Sequence, residues 1–183
     1  MSRRAQIVLL CEDTQHEACL RRFLSAMGWD TRAMRVEKAP GGRGSADQFV
    51  RQQFPRELKA HRTRHVTQAF VTMMDGDRYG VDARLGQLDE ACQSGGIDVR
   101  TPGERVAVFI PTWNIETWFA YLDNATVDEA RSDYPRLPKE RDCQRHVTLL
   151  ADMCRAVALR QLCPASLEKA CNEYRSRLVE GTQ

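Results

Sequence analysis

A small set of acidic residues stands where a folded chain would gather them. Glu12 and Asp13 follow the apolar run 5–10, and Asp75-Gly76-Asp77 follows the apolar run 68–74. In open parallel sheets, ligands bind at the carboxyl ends of strands, and these acids occupy such ends. Asp75 and Asp77 lie two residues apart, so in extended backbone both side chains point the same way. Gly76 between them lets the backbone approach a ligand closely. Glu12, Asp75 and Asp77 form an all-oxygen donor set of the kind that hard ions such as Mg²⁺ or Mn²⁺ prefer. The chemistry such a set suits is phosphoryl transfer. Glu116 lies six residues beyond Ile110, near the start of a helix, and is placed to support the metal shell or orient water. The competing role for each acid is to cap the helix that follows it.

The elements that position these residues alternate. Residues 5–10 read as a strand buried on both faces. Thr14 is placed to cap a helix, with Glu17 completing a capping box, and Cys19, Leu20, Phe23, Leu24 and Met27 recur at helical spacing before Gly28 ends it. A second strand is expected over 31–37. The segment 39–45 (Ala-Pro-Gly-Gly-Arg-Gly-Ser) is a loop, and a helix begins at 45 or 46. Pro55 is expected to open a further helix, since its missing N–H is harmless at the first helical position. Strands are expected at 68–74 and 105–110, with helices at 81–92 and 114–122. This alternation predicts an α/β fold with a mainly parallel sheet flanked by helices. Beyond Asp123 the pattern is helical, over 146–162 and 165–179, which predicts a domain at 1–122 and a helical extension at 123–183 packed on it.

Composition narrows the rest. The chain has 183 residues, 42% hydrophobic and 28% charged, which supports a packed core. No apolar run approaches the ~18–20 residues of a membrane span, and the run 5–10 is too short for a signal-peptide core. The chain therefore reads as cytoplasmic, with no membrane partner. Net charge is +2, which excludes neither nucleic acid nor small ligands, and only four of the 27 cations are Lys. The seven cysteines read as reduced thiols. Cys143-x-x-His146 with Cys154 and Cys163 has zinc-ligand residue types, but Cys154, Cys163 and Cys171 fall on apolar helical faces, where free Cys is ordinary core.

Leu9-Leu10-Cys11-Glu12-Asp13-Thr14-Gln15-His16-Glu17-Ala18-Cys19-Leu20, followed by Met74-Asp75-Gly76-Asp77, resembles the Toprim fold. Ile110-Pro111-Thr112-Trp113-Asn114-Ile115-Glu116-Thr117-Trp118-Phe119 is similar to the corresponding segment of small stand-alone Toprim-like proteins of the RloB kind. The resemblance covers residues 5 to about 122. It implies a Glu after the first strand and an Asp-x-Asp after a later one, binding divalent metal. It also implies a nuclease or phosphodiesterase acting on DNA or RNA, in anti-phage or foreign-DNA defence. The OLD-type nucleases usually read Glu-Gly-x-Thr-Glu, and here Asp13 replaces the Gly and His16 the second Glu. His16 titrates near neutrality in its ordinary state, so it is a candidate base. The alternative is a degenerate module that binds nucleic acid, a nucleotide or a partner ATPase. A homo-oligomer is compatible with either.

Two basic features fit phosphate. Lys38 and Arg43 border the glycine-rich loop, whose N–H groups suit an anion. Arg56, Lys59, Arg62 and Arg64 lie along one helix and its edge, a plausible backbone track that is equally the pattern of a solvated face. Trp113 and Trp118 flank Glu116; both read as residues packing a helix onto the sheet, with stacking on a base as the alternative.

Overall fold

The computed structural model describes residues 7–41, 45–64 and 69–179. Four strands, β1 (Ile7–Cys11), β2 (Met34–Lys38), β3 (Ala69–Met73) and β4 (Val106–Phe109), form one sheet. All three pairings are parallel, in the order β2-β1-β3-β4. Six α-helices flank it: α1 (Thr14–Ala26), α2 (Ala46–Thr63), α3 (Gly80–Ser94), α4 (Glu116–Leu122), α5 (Gln144–Ala156) and α6 (Ala165–Tyr174). The fold is α/β with an all-parallel sheet and a C-terminal helical stretch, as the alternating pattern requires.

Side-chain alternation along the strands divides the interior in two. Ile7, Leu9, Cys11, Ala69, Val71, Met73, Ala107 and Phe109 face a core completed by α1, α4, α5 and α6. Val8, Leu10, Phe70, Met74, Val106 and Val108 face the other, completed by α2 and α3. Every residue of β1, β3 and β4 is buried, which accounts for their unbroken apolar runs. The chain winds from β1 to β2 in one direction and from β2 across β1 to β3 in the other. That reversal sends α1 and α2 to opposite faces and leaves a crevice between the carboxyl ends of β1 and β3. Residues beyond 123 share the first core, through Val147, Leu150, Leu167 and Tyr174 among others. Glu173 ties the last helix to the sheet, accepting from the Val108 backbone N–H and from Arg100.

Four local expectations are corrected. Asp13, not Thr14, caps α1, accepting the His16 backbone N–H at 2.8 Å. Glu17 is thereby freed from a capping box and pairs with Arg21 and Lys38. Pro55 lies inside α2 rather than opening a new helix. Phe54, Pro55 and Leu58 are all buried there, so packing on the sheet carries the helix past the missing N–H. α5 stops at Ala156, because Val157 takes a left-handed cap (φ 54°) that the Ala158 N–H closes onto the Met153 carbonyl. Cys154 and Cys171 form a disulfide between α5 and α6, where the sequence reads as thiols throughout. Among the described residues, no helix is long and apolar enough to cross a membrane.

Candidate functional site

β1 and β3 end side by side, with Cys11 opposite Met73. The residues just beyond, Glu12 and Asp75, are therefore brought together by sheet register. The first turn of α1 adds His16. One donor atom from each of Glu12, His16 and Asp75 lies within 4.8 Å of the others. His16 is fully buried, and its Nε2 is 3.0 Å from Asp75 Oδ1. Glu12 is also buried.

Burial alone raises the Glu12 carboxyl; the Asp75 charge adds to this, His16 opposes it, and the result is about 7. Burial alone would lower His16, but the Asp75 charge and hydrogen bond, helped by Asp13 and Glu12, overcome it and hold the ring at about 9. With no cation bound, the ring keeps its proton at neutral pH, and a divalent ion would have to displace that proton for His16 to ligate it. The role of solvent-reaching base does not fit a ring with no exposure whose Nε2 is taken by Asp75.

Among the described residues, two buried polar atoms of this cluster lack a hydrogen-bond partner, Glu12 Oε1 and His16 Nδ1, the latter standing 3.8 Å from Asp13 Oδ1. Buried polar atoms are normally satisfied, and a cation-binding role accounts for this carboxylate oxygen. The donor chemistry also fits: two carboxylates and an imidazole suit a divalent ion, and the imidazole moves the preference from Mg²⁺ toward Mn²⁺.

Asp77 takes a different course. Its φ is 44°, so the segment is not extended through Asp77, which stands outside the Glu12-His16-Asp75 group. The Asp77 carboxylate pairs with Arg84, a fully buried guanidinium on α3. The same Arg84 donates to the Asp75 carbonyl (3.1 Å), to Asp47 (3.0 Å) and to Gln87 (2.9 Å). Asp77 thus clasps the loop after β3, while Glu12, Asp75 and His16 make the cluster. Gly76 serves a close approach to protein rather than to a ligand: its N–H donates to the Pro111 carbonyl at 2.8 Å. A Cβ there would sit 2.8 Å from that same oxygen.

Above the cluster opens a cleft of about 330 Å³. Asp13, His16, Asp75, Asp77, Trp113 and Glu116 line it. Burial raises the Glu116 carboxyl, and its Oε1 lies 4.0 Å from Arg136. Residues 136–140, including Arg136 and Lys139, complete the lining. Those two cations were not candidates from sequence, because the connector 123–139 carries no periodic pattern that would place it over a strand end.

The expected phosphate residues are dispersed. Lys38 reaches Glu17 at 2.8 Å and does not line the cleft. Arg56 and Lys59 are exposed and line a separate groove between α2 and α3. Arg62 is bound to Glu104 and to the Asp98 and Val99 carbonyls, and Arg64 forms the C-cap of α2. Arg43 lies outside the described residues. Trp118 is core, with its indole N–H on Ser166 Oγ at 2.9 Å.

No family model matches the chain, and no curated protein or solved structure is similar to it.

Proposed function

We propose that the chain is a divalent-metal-dependent phosphodiesterase of Toprim type, cleaving DNA or RNA in prokaryotic defence against foreign nucleic acid. The observation that carries this reading is the meeting of Glu12, His16 and Asp75 at the winding reversal of a parallel sheet, with a buried carboxylate oxygen that lacks a hydrogen-bond partner among the described residues. Glu12, Asp75 and His16 would hold the ion, and Mg²⁺ or Mn²⁺ there would supply Lewis-acid chemistry for phosphodiester hydrolysis. Glu116 orients water from the cleft wall, and Arg136 and Lys139 offset phosphate charge. The apolar pattern of the sequence adds a cytoplasmic setting, and the resemblance a partner ATPase.

Thermal melting of the full chain tests the site. Mn²⁺ should raise the melting temperature by linkage; Glu12→Gln and Asp75→Asn should abolish the rise, while Asp77→Asn should keep it. On a panel of DNA and RNA substrates, Glu12→Gln and Asp75→Asn should lower cleavage by ~10²-fold or more. Glu116→Gln should cost less, on the ~10–100-fold scale of groups that support a metal's ligands.

One observation favours a second reading. Where the family has a carboxylate, His16 supplies a buried positive charge of its own beside Asp75. A cluster neutralised in this way would serve a non-catalytic module binding nucleic acid, a nucleotide or an ATPase. Melting that no divalent metal moves, with no cleavage under any condition, would select it.

A further inference from the structure

Trp113 is the most conspicuous residue of the cleft that the cluster chemistry does not use. Its φ is 60°, a left-handed conformation that a bulky aromatic rarely adopts. The conformation is held by a reciprocal bridge to a second left-handed residue: the Asp77 N–H donates to the Trp113 carbonyl at 2.9 Å, and the Trp113 N–H returns at 3.3 Å. Asp77 is in turn fixed by Arg84. Strain of this kind persists only where the surroundings over-determine it, and it concentrates at ligand sites.

The side chain differs from the other two tryptophans in its contacts. Trp29 donates its indole N–H to Tyr174 Oη (3.0 Å) and Trp118 donates to Ser166 Oγ. Among the described residues, Trp113 has no indole hydrogen bond, no aromatic neighbour and no place in either core. It is partly exposed and lines the cleft with Asp75 and Glu116. The same space of about 330 Å³ is lined by Arg136 and Lys139.

The geometry points to Trp113 as the stacking platform for the base of a single unpaired nucleotide, whose phosphate lies between the Glu12-His16-Asp75 cluster and Arg136 and Lys139. An indole, two cations and a metal-competent cluster in one cleft match the three parts of a nucleotide. This rests on the phosphodiesterase reading. It names an extruded or single-stranded nucleotide as the substrate class, because a base stacked within a duplex has no free face. The nucleotide comes either from a strand or from the free pool. The cleft also carries Asp13, Asp77, Glu116 and Glu140, so the anion requires a divalent ion to bind.

The test uses the full chain in Ca²⁺, repeated in Mn²⁺, with dTMP against 2-deoxyribose 5-phosphate, and a dT hexamer against an abasic hexamer. Wild type should prefer the base-bearing ligand by roughly 5- to 150-fold, the span of base–aromatic stacking. Trp113→Asn is the informative variant, because Asn accepts the left-handed backbone. It should melt as high as wild type or higher, yet bring the preference to within about twofold and leave sugar-phosphate binding unchanged. Trp113→Phe should keep most of the preference while losing the quenching of indole fluorescence by dTMP. A hexamer bound at least ~10-fold tighter than dTMP assigns the strand as the source, and parity assigns the free nucleotide; both support the inference. A preference that survives Trp113→Asn overturns it, as does equal wild-type binding of base-bearing and abasic ligands, which leaves the phosphodiesterase reading intact. Absence of binding by every ligand in both metals overturns both.

Discussion

Replacing Arg84 tests whether the loop that presents Asp75 is held by a buried clasp. Arg84 side-chain exposure is 2%, and its fork serves two carboxylates, one backbone carbonyl and one amide. Arg84→Met keeps most of the apolar volume, so the cavity contribution is small. What is lost is a buried charge with its partners, typically ~3–5 kcal/mol when one member is removed. Side-chain exposures of 51% for Asp77 and 22% for Asp47 let both carboxylates regain water once stranded. The low end, about 3 kcal/mol, is therefore expected. For a chain of this size ~1 kcal/mol moves the melting temperature by ~2–4 °C, so the fall should be about 6–12 °C, measured by circular dichroism with urea unfolding as a check. Arg84→Lys should recover only part of the loss, since an ammonium keeps the charge but not the planar fork. Asp77→Asn in the Met background should cost clearly less than in wild type, because the two share one interaction. A loss below ~1 kcal/mol, the range of exposed pairs, would refute the clasp.

The apo protein should lose stability as pH rises from 4.5 to 9. His16 is raised from 6.5 to about 9, so its stabilisation is complete below 6.5 and lost toward 9; Glu12 is raised from 4.5 to about 7, so ionising it in the fold costs stability between those values. Melting curves in chelator should show this slope, and His16→Asn should flatten the upper part. Gly76→Ala should destabilise by ~1–3 kcal/mol in urea unfolding, the usual scale of overpacking, because the new Cβ meets backbone rather than a side chain able to move. Charge reversal at Arg136 and Lys139 should weaken nucleotide binding and reduce its salt dependence more than reversal at Arg56 and Lys59, read by titration at two salt concentrations.

The parts of the site visible in sequence are those that strand ends dictate. An unbroken apolar run followed by an acid, as at Cys11-Glu12 and Met74-Asp75, locates the carboxylates because a buried parallel strand allows no other reading of the run. Asp77 departs from the extended-strand rule because β3 ends at Met73 and Asp77 itself takes a left-handed backbone. What turns it is the pairing of two loops, 75–77 and 111–113, that are far apart in sequence. Arg84 sits among Val81, Leu85 and Leu88, where helical periodicity marks a core face and gives no sign that a cation is needed there. Arg136 and Lys139 reach the cleft along irregular backbone, which has no period to read.

The crossover of α2 over β1 also sets an order of events during synthesis. Glu12 and His16 emerge first, but they can meet Asp75 only after β2 and α2 have been made and β3 has joined β1. The wall that carries Arg136 and Lys139 follows about 60 residues later, roughly 3–12 s at ~5–20 residues per second. For that interval a nascent chain has the residues of the cluster but neither residues 136–140, which complete the cleft, nor α5 and α6, which complete the core under β1 and β3. Assembly of the site therefore waits on the last third of the chain.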